Sequence, residues 1–287
     1  LTMTEEAGMD GAFGLQANWL QADILINTDS EEEGEIYMGC AGGIDFTATL
    51  PLSREAVPAG FTTLKLTLKG LKGGHSGVDI HLGRANANKL MFRFLKEAVR
   101  DYGARLSSVD GGSLRNAIPR EAFAVITIPG DNVEALWELV SDYREMYRYE
   151  YKGIEHNINF TAEMTDMPAT LIPEEIQDDL INAIEGCQNG VISMLVDFPG
   201  TVESSTNLAI VKSSNEMIEI QILVRSSSES RKEAVCSSLE SIFSLAGAKV
   251  EYSDGYGGWQ LREGRRQWDR RRSGQRRHPP RAGIARA

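Results

Sequence analysis

Cysteine is scarce in this 287-residue sequence, and long apolar runs are absent. The wide spacing of Cys40, Cys187 and Cys236 excludes both a disulfide framework and the close cysteine pairs of a zinc knuckle. No run approaches the roughly 18 apolar residues of a membrane-spanning helix, and Leu1 does not open a basic-then-apolar signal pattern. We therefore expect a cytoplasmic protein with free thiols and no membrane partner.

Lysine is missing from residues 261–287, which contain ten arginines but only Glu263 and Asp269 as acids. This segment has a formal charge of +8 and leaves −19 for residues 1–260. A strongly acidic body does not favour nucleic-acid binding. We interpret residues 256–287 as an aberrant, disordered tail, and an arm that binds nucleic acid is the remote alternative.

Apolar spacing predicts a mixture of strands and helices after about residue 60. Alternation from Phe61 places Leu64, Leu66 and Leu68 on one face of a half-exposed strand. Helical spacing then recurs, and Asp131 and Asn132 supply an N-cap for the second helix. We expect one helix at 87–99, a second that begins at Val133, a third that begins at Pro173 and a fourth that ends at Gly247. Strands are expected at 123–128, 208–211, 217–224 and 249–252.

The first fifty residues have a different pattern, with short apolar runs separated by turns rich in Gly, Asp and Glu. This pattern is typical of an α/β sheet. A cluster of Pro51, Pro58 and Gly60 marks a junction. The sequence therefore predicts an α/β fragment at residues 1–51 followed by an inserted α+β domain at residues 52–255.

Three carboxylates follow apolar segments in the predicted α/β fragment. Glu5 and Glu6 are adjacent at a predicted strand end, and Asp29 ends the run from Ile24. Ligands and catalytic groups gather at that edge of open α/β sheets. One carboxylate of such a pair can hold a metal while its neighbour takes a proton from metal-bound water. Taken alone, a solvated surface pair explains Glu5 and Glu6 better.

Two side chains in the predicted α+β domain have chemistry suited to a substrate. His75 lies in a Gly-rich turn, where an imidazole can donate to a developing oxyanion. Arg225 ends an apolar strand, and its planar fork can bind a carboxylate through two hydrogen bonds. From these residues alone, a loop histidine and a surface arginine are the better interpretations. We interpret His81 as structural and His156 as exposed.

Four segments in order resemble the aminoacyl-histidine dipeptidases, also called Xaa-His dipeptidases or cytosol non-specific dipeptidases. They are Thr-Glu-Glu-Ala-Gly-Met-Asp-Gly-Ala at 4–12, Ile-Asn-Thr-Asp-Ser-Glu-Glu at 26–32, Gly-Gly-His-Ser-Gly at 73–77 and Leu-Arg-Asn-Ala-Ile-Pro-Arg-Glu-Ala at 114–122. The resemblance runs from Leu1 to about Gln260. It extends to the wider dizinc group that includes carboxypeptidase G and aminoacylase.

The resemblance implies a fold and roles for individual residues. It implies a catalytic α/β domain with two zinc ions, manganese or cobalt being alternatives, and an inserted α+β lid that covers the site and pairs subunits. Glu5 resembles the general base. Glu6 resembles a ligand of one zinc ion, and Asp29 resembles a ligand of the other. His75 resembles the oxyanion donor, and Asn116 and Arg225 resemble the residues that bind the carboxylate of a dipeptide. Asn207 competes with Asn116, whose sequence context is the closer match.

The sequence also departs from the family pattern. The His-x-Asp zinc motif, the bridging Asp and the final His ligand have no counterpart here, and His278 lacks the expected surroundings. We therefore expect an incomplete copy without activity of its own, and a homodimer formed through residues 61–102, where an unpaired strand edge is expected. The alternative function is a non-catalytic module that dimerises or binds peptide carboxylates.

Overall fold

The computed structural model describes residues 11, 14–16, 18–23, 39–253 and 255–258. The chain forms two compact units, Leu1–Met38 and Gly39–Ala287. Nearly all described residues belong to the second unit, and the elements below lie within it. Among the described residues, no helix is long and apolar enough to cross a membrane.

An antiparallel sheet of nine strands forms one layer of the second unit. Its strand order is β13-β1-β12-β11-β5-β7-β3-β8, and β10 pairs with β11. The described strands are β1 (Gly42–Pro51), β2 (Glu55–Ala56), β3 (Phe61–Lys69), β4 (Gly74–His75), β5 (Arg105–Gly111), β6 (Ala117–Ile118), β7 (Ala122–Pro129), β8 (Asn159–Met164), β9 (Thr170–Leu171), β10 (Gly190–Met194), β11 (Val202–Ser213), β12 (Met217–Ser226) and β13 (Lys249–Tyr252). The short pairs β2-β9 and β4-β6 lie outside the large sheet.

Four described helices pack against this sheet: α1 (Ala87–Tyr102), α2 (Val133–Glu150), α3 (Glu174–Gly186) and α4 (Glu229–Leu245). At the start of α1, the Asn86 side chain accepts a hydrogen bond from Lys89 N, and Gly103 ends the helix with φ +69°. The predicted cap of α2 is wrong in its chemistry. Asn132 occupies the N-cap position, but its side-chain amide donates to Tyr102 O at 3.0 Å.

The core lies between the helices and one face of the sheet. Leu64, Leu66 and Leu68 are fully buried, while Lys65 and Lys69 are exposed, as the alternation predicts. The inward side chains of β12 are likewise fully buried, and all of these residues belong to one continuous core cluster with helix residues. Full burial of a leucine or isoleucine contributes about 1.5–3 kcal/mol. The opposite face of β1 and β12 is more polar and holds Asp45, Thr47 and Arg225.

Strand β1 has no counterpart in the sequence prediction, although Phe46, Ala48 and Leu50 alternate with polar residues. It pairs with β12 along its whole length and with β13 over Phe46–Thr49. The structure consequently divides the chain after Met38, whereas the sequence places a junction at Pro51–Gly60. Gly43 and Tyr256 exchange both backbone hydrogen bonds, at 3.1 and 2.9 Å, so the two ends of the segment 43–256 lie side by side.

Strand β3 lies inside the sheet, between β7 and β8. The expectation of an unpaired strand edge within residues 61–102 is therefore wrong. Its alternating side chains indicate a half-exposed strand, and Lys65 and Lys69 are indeed exposed, but the backbone of β3 is paired on both sides. In the described part of the chain, β8 and β13 end the strand order, and β10 also has a single partner strand, β11.

Candidate functional site

The predicted site residues fall into two groups. The carboxylates Glu5, Glu6 and Asp29, together with His278, lie outside the described residues. His75, Asn116 and Arg225 lie within them and are brought together, although up to 150 positions separate them in the sequence. The structure therefore supplies geometry for the lid residues alone.

The loop that carries His75 (residues 73–79, here the His75 loop) is bonded to the loop that carries Asn116 (residues 112–118, the Asn116 loop). His75 pairs with Ala117 in the β4-β6 ladder. Ser76 N donates to Asn116 O at 2.7 Å. Asn116 is half-buried, and its side chain makes no hydrogen bond within the described part of the chain. His75 and Asn116 are thus presented by two loops that hold each other.

The turn after His75 determines how its ring is protonated. Nδ1 accepts hydrogen bonds from Gly77 N at 3.2 Å and Val78 N at 3.1 Å. Both donors need the Nδ1 lone pair, so the neutral ring carries its proton on Nε2. An exposed imidazole in this tautomer is a hydrogen-bond donor at Nε2. This is the state that an oxyanion donor requires.

Arg225 approaches the His75 loop from the polar face of β12. A Cβ atom added at Gly77 would lie 3.1 Å from Cε1 of His75 and 3.5 Å from Cζ of Arg225. The guanidinium is held from the other side, because Nη1 donates to the hydroxyl of Tyr256 at 2.9 Å. The imidazole and the guanidinium therefore both lie within van der Waals reach of the same point beside Gly77. Sequence reasoning missed Tyr256, which no motif marks.

Asn207, the alternative candidate to Asn116 for a substrate-binding amide, supports the Asn116 loop. It is 1% exposed, and its side-chain amide donates to Ala117 O at 2.8 Å and Arg115 O at 3.2 Å. Both amide hydrogens are thereby used to hold the Asn116 loop on β11. Arg115 fixes the same loop through Asp45 at 3.4 Å and through the hydroxyl of Thr47 at 3.1 Å.

Three buried polar atoms of this cluster have no hydrogen-bond partner among the described residues: Ser76 Oγ, Asn207 Oδ1 and Arg225 Nε. Buried polar groups are normally paired, and clusters of unpaired ones need an explanation. Here they comprise donors and acceptors beside a fixed imidazole. The guanidinium of Arg225 is the group among them that suits a ligand with a carboxylate.

Other candidate features in the described part of the chain do not join this cluster. His81 and His156 are exposed, and no group of three or more His, Cys, Asp or Glu side chains is placed to hold a metal ion. A hollow of about 470 Å³ lies beyond the far end of β1 and is lined by Arg54, Ser107, Thr170 and Ser214. There Arg54 donates to the carbonyl of Ser107 in β5 and to that of Ser214 between β11 and β12. Desolvation lowers the pKa of Arg54.

The chain is similar to known peptidases. The M20 peptidase dimerisation domain matches residues 66–155. The cytosol non-specific dipeptidase of Escherichia coli (strain K12) is 54% identical over 260 residues, which are 91% of this chain and 54% of that protein. The crystal structure of aminoacylhistidine dipeptidase from Vibrio alginolyticus superposes with a TM-score of 0.83 at 48% identity, covering 91% of this chain and 53% of that one.

These matches confirm the resemblance to the aminoacyl-histidine dipeptidases. They also confirm the predicted fold class, an α/β peptidase fragment with an inserted α+β lid. The chain spans about half the length of the relatives it matches.

Proposed function

We propose that this chain carries the substrate-binding lid and part of the metal site of a zinc-dependent dipeptidase that hydrolyses dipeptides of the Xaa-His type. The observation that carries the proposal is the convergence of His75, Asn116 and Arg225 on one pair of loops. The names of the two relatives support the reaction class.

A dipeptide has one free carboxylate, and Arg225 is suited to bind it. One terminal nitrogen of its guanidinium donates to the hydroxyl of Tyr256, which fixes the orientation of the group. A charge-assisted hydrogen bond contributes about 1.5–3 kcal/mol. The amide of Asn116 would add a hydrogen bond from an uncharged donor to the same group.

His75 would act on the scissile carbonyl. Because Nδ1 accepts two backbone N–H groups, the ring presents Nε2–H as a donor to an oxygen that gains negative charge. Removal of one such donor costs roughly 10²- to 10³-fold in kcat. The turn amides fix the ring in advance, so little reorganisation is needed during the reaction.

Glu6 and Asp29 would each hold one of two zinc ions, with Glu5 as general base, and zinc when bound would acidify the attacking water. A catalytic zinc normally takes three protein ligands. The sequence has only these two matched ligands, so we expect weak zinc binding and no dipeptide hydrolysis by this chain alone. A cytoplasmic homodimer joined through the lid completes the proposal.

The first experiment assays the purified chain with zinc, manganese or cobalt against Leu-His. We expect no turnover and substoichiometric zinc. Turnover that disappears in Glu5→Gln would contradict the expected inactivity, because it would require a complete site in this chain.

A hybrid enzyme tests the lid directly. Residues 43–256 replace the corresponding segment of a complete relative, which retains its own metal ligands. We expect Leu-His hydrolysis by the hybrid, a rise in KM of roughly 10- to 100-fold in Arg225→Gln, and a loss in kcat in His75→Gln. Arg231→Gln is the matched control. Arg231 is an exposed arginine of α4 that forms an ion pair with Glu203 of β11. Full activity of both Arg225→Gln and His75→Gln hybrids would refute the proposal.

The same hybrid decides the alternative function. A non-catalytic module would bind dipeptides through Arg225 but would leave the hybrid inactive. Titration of the unmodified chain with Leu-His, beside Arg225→Gln, measures that binding.

A further inference from the structure

Asp79 contacts His75 at both of its backbone groups. Asp79 N donates to His75 O at 2.9 Å, and His75 N donates to Oδ2 of Asp79 at 2.8 Å. One residue therefore closes the turn through its backbone and also through its carboxylate. The two N–H groups that bind Nδ1 of His75, those of Gly77 and Val78, lie inside this closed turn.

Arg84 holds the carboxylate of Asp79 in place. Its Nη2 lies 3.0 Å from Oδ1 of Asp79, and its Nη1 donates to Gly73 O at 2.6 Å. The start and the end of the His75 loop are thus joined through one guanidinium. Both side chains of the pair are about three-quarters buried, so solvent screens this ion pair less than a surface pair.

The close approach of this pair to the backbone explains one of the two glycines before His75. Gly74 has φ +144°, and a Cβ atom there would lie 2.2 Å from Nη1 of Arg84 and 2.5 Å from Oδ2 of Asp79. A side chain at position 74 would displace the ion pair. The motif Gly-Gly-His-Ser-Gly-Val-Asp at 73–79 therefore contains both the imidazole of His75 and the carboxylate of Asp79, which closes the turn after His75.

We propose that Asp79, held by Arg84, is a positioning residue for His75: it closes the turn whose two amides keep the imidazole in the Nε2–H tautomer. The role of Nε2 as oxyanion donor rests on the proposed function. The tautomer itself does not, and it can be measured without turnover.

The experiment records the ring nitrogens of histidine in the full chain by long-range ¹H–¹⁵N spectroscopy, above the pH at which imidazoles are protonated. The sequence has four histidines, and His75→Gln identifies the signals of His75. In the unmodified chain we expect one pure tautomer, with the proton on Nε2. In Asp79→Ala we expect loss of that pure tautomer and a shift of the Nδ1 signal towards the averaged position of the exposed His156.

Two further variants separate positioning from general loss of stability. Asp79→Asn keeps an oxygen that can accept from His75 N but loses the ion pair, so we expect a smaller shift than in Asp79→Ala. Gly60→Ala strains an exposed turn with φ +81° that does not touch the His75 loop, and we expect it to leave the His75 signals unchanged.

A pure Nε2–H tautomer that persists in Asp79→Ala would overturn the proposal. If Asp79→Ala does not fold, Asp79→Asn and Arg84→Gln are compared instead, and unchanged His75 signals in both would overturn it equally. Because none of these readouts involves hydrolysis, an inactive hybrid would contradict the dipeptidase proposal and leave this one standing.

Discussion

The side-chain amide of Asn207 lies 2.8 Å from the carbonyl oxygen of Ala117 and holds the Asn116 loop against β11. Asn207 is nearly inaccessible, and its second amide hydrogen goes to Arg115 O. The residue that sequence similarity offered as a substrate ligand is thus, in the described structure, a support for its competitor.

Asn207→Ala should loosen the Asn116 loop, which Arg115 would still hold through Asp45 and Thr47. Two carbonyl oxygens would lose their donor, which costs about 1–3 kcal/mol of unfolding free energy. Urea denaturation measures this loss. Hydrogen exchange should accelerate at the Ser76 amide, because that amide donates to Asn116 O. Asn132→Ala removes a single, partly buried hydrogen bond of a side-chain amide and serves as control. Unchanged exchange at Ser76 would show that the loop does not depend on Asn207.

Three glycine-to-alanine variants should rank by the space around each glycine. Gly186→Ala should be neutral or stabilising by up to about 1 kcal/mol, because Gly186 is helical with open space beside it. Gly60→Ala should cost about 1–2 kcal/mol, because its backbone is left-handed but nothing is near. Gly74→Ala should cost more than either, since strain and overlap with Arg84 combine. Thermal unfolding gives the order, and a Gly74→Ala chain as stable as Gly60→Ala would contradict the packing of the His75 loop.

The stability of the folded chain should fall between about pH 9 and pH 11. Desolvation raises the pKa of Cys187 and of Cys236 from 9.0 to about 11. In that interval the unfolded thiols ionise while the folded ones remain protonated, so fewer protons are bound to the unfolded chain and rising pH favours unfolding. The change is at most about 2–3 kcal/mol for Cys187. Urea midpoints across this range measure it.

Cys187→Ala isolates the thiol contribution from that of the tyrosines, whose pKa values are also raised by burial. The pH dependence should be shallower in this variant. Alkylation at pH 8 should label the exposed Cys40 rapidly and the two buried cysteines slowly. Equal labelling of all three thiols in the folded chain would be inconsistent with the structure.

The position of β8 leads to a prediction about assembly. We expect a homodimer in which the outer edge of β8 contributes to the interface, since an outer strand is a template for its symmetry mate. Met164→Lys, at the exposed end of β8, should weaken dimerisation at least about tenfold. Met217→Lys is the control, because Met217 is similarly exposed but belongs to β12, inside the sheet. Sedimentation velocity at high micromolar concentration distinguishes the outcomes, and a monomer there would contradict the prediction.

Periodicity in the sequence predicted the elements whose side chains alternate in burial, such as β3 with Leu64, Leu66 and Leu68. It could not predict which strands would be neighbours. The pairing of β3 with β8 and the register shift between Leu208 and Ile210 depend on contacts far apart in the chain. Similarly, resemblance predicts roles for His75, Asn116 and Arg225, whereas Tyr256 and Asp79 are found only through their hydrogen bonds to Arg225 and His75.

The mutual hydrogen bonds of Gly43 and Tyr256 bring the two ends of the segment 43–256 together. Its two ends are already joined by the distance of one residue pair, so a host chain needs to provide no more room than for a tight turn. Exchange of such a segment between related enzymes would not require the flanking chain ends of the host to move apart. The lid could therefore diverge in substrate preference while the rest of an enzyme stayed unchanged.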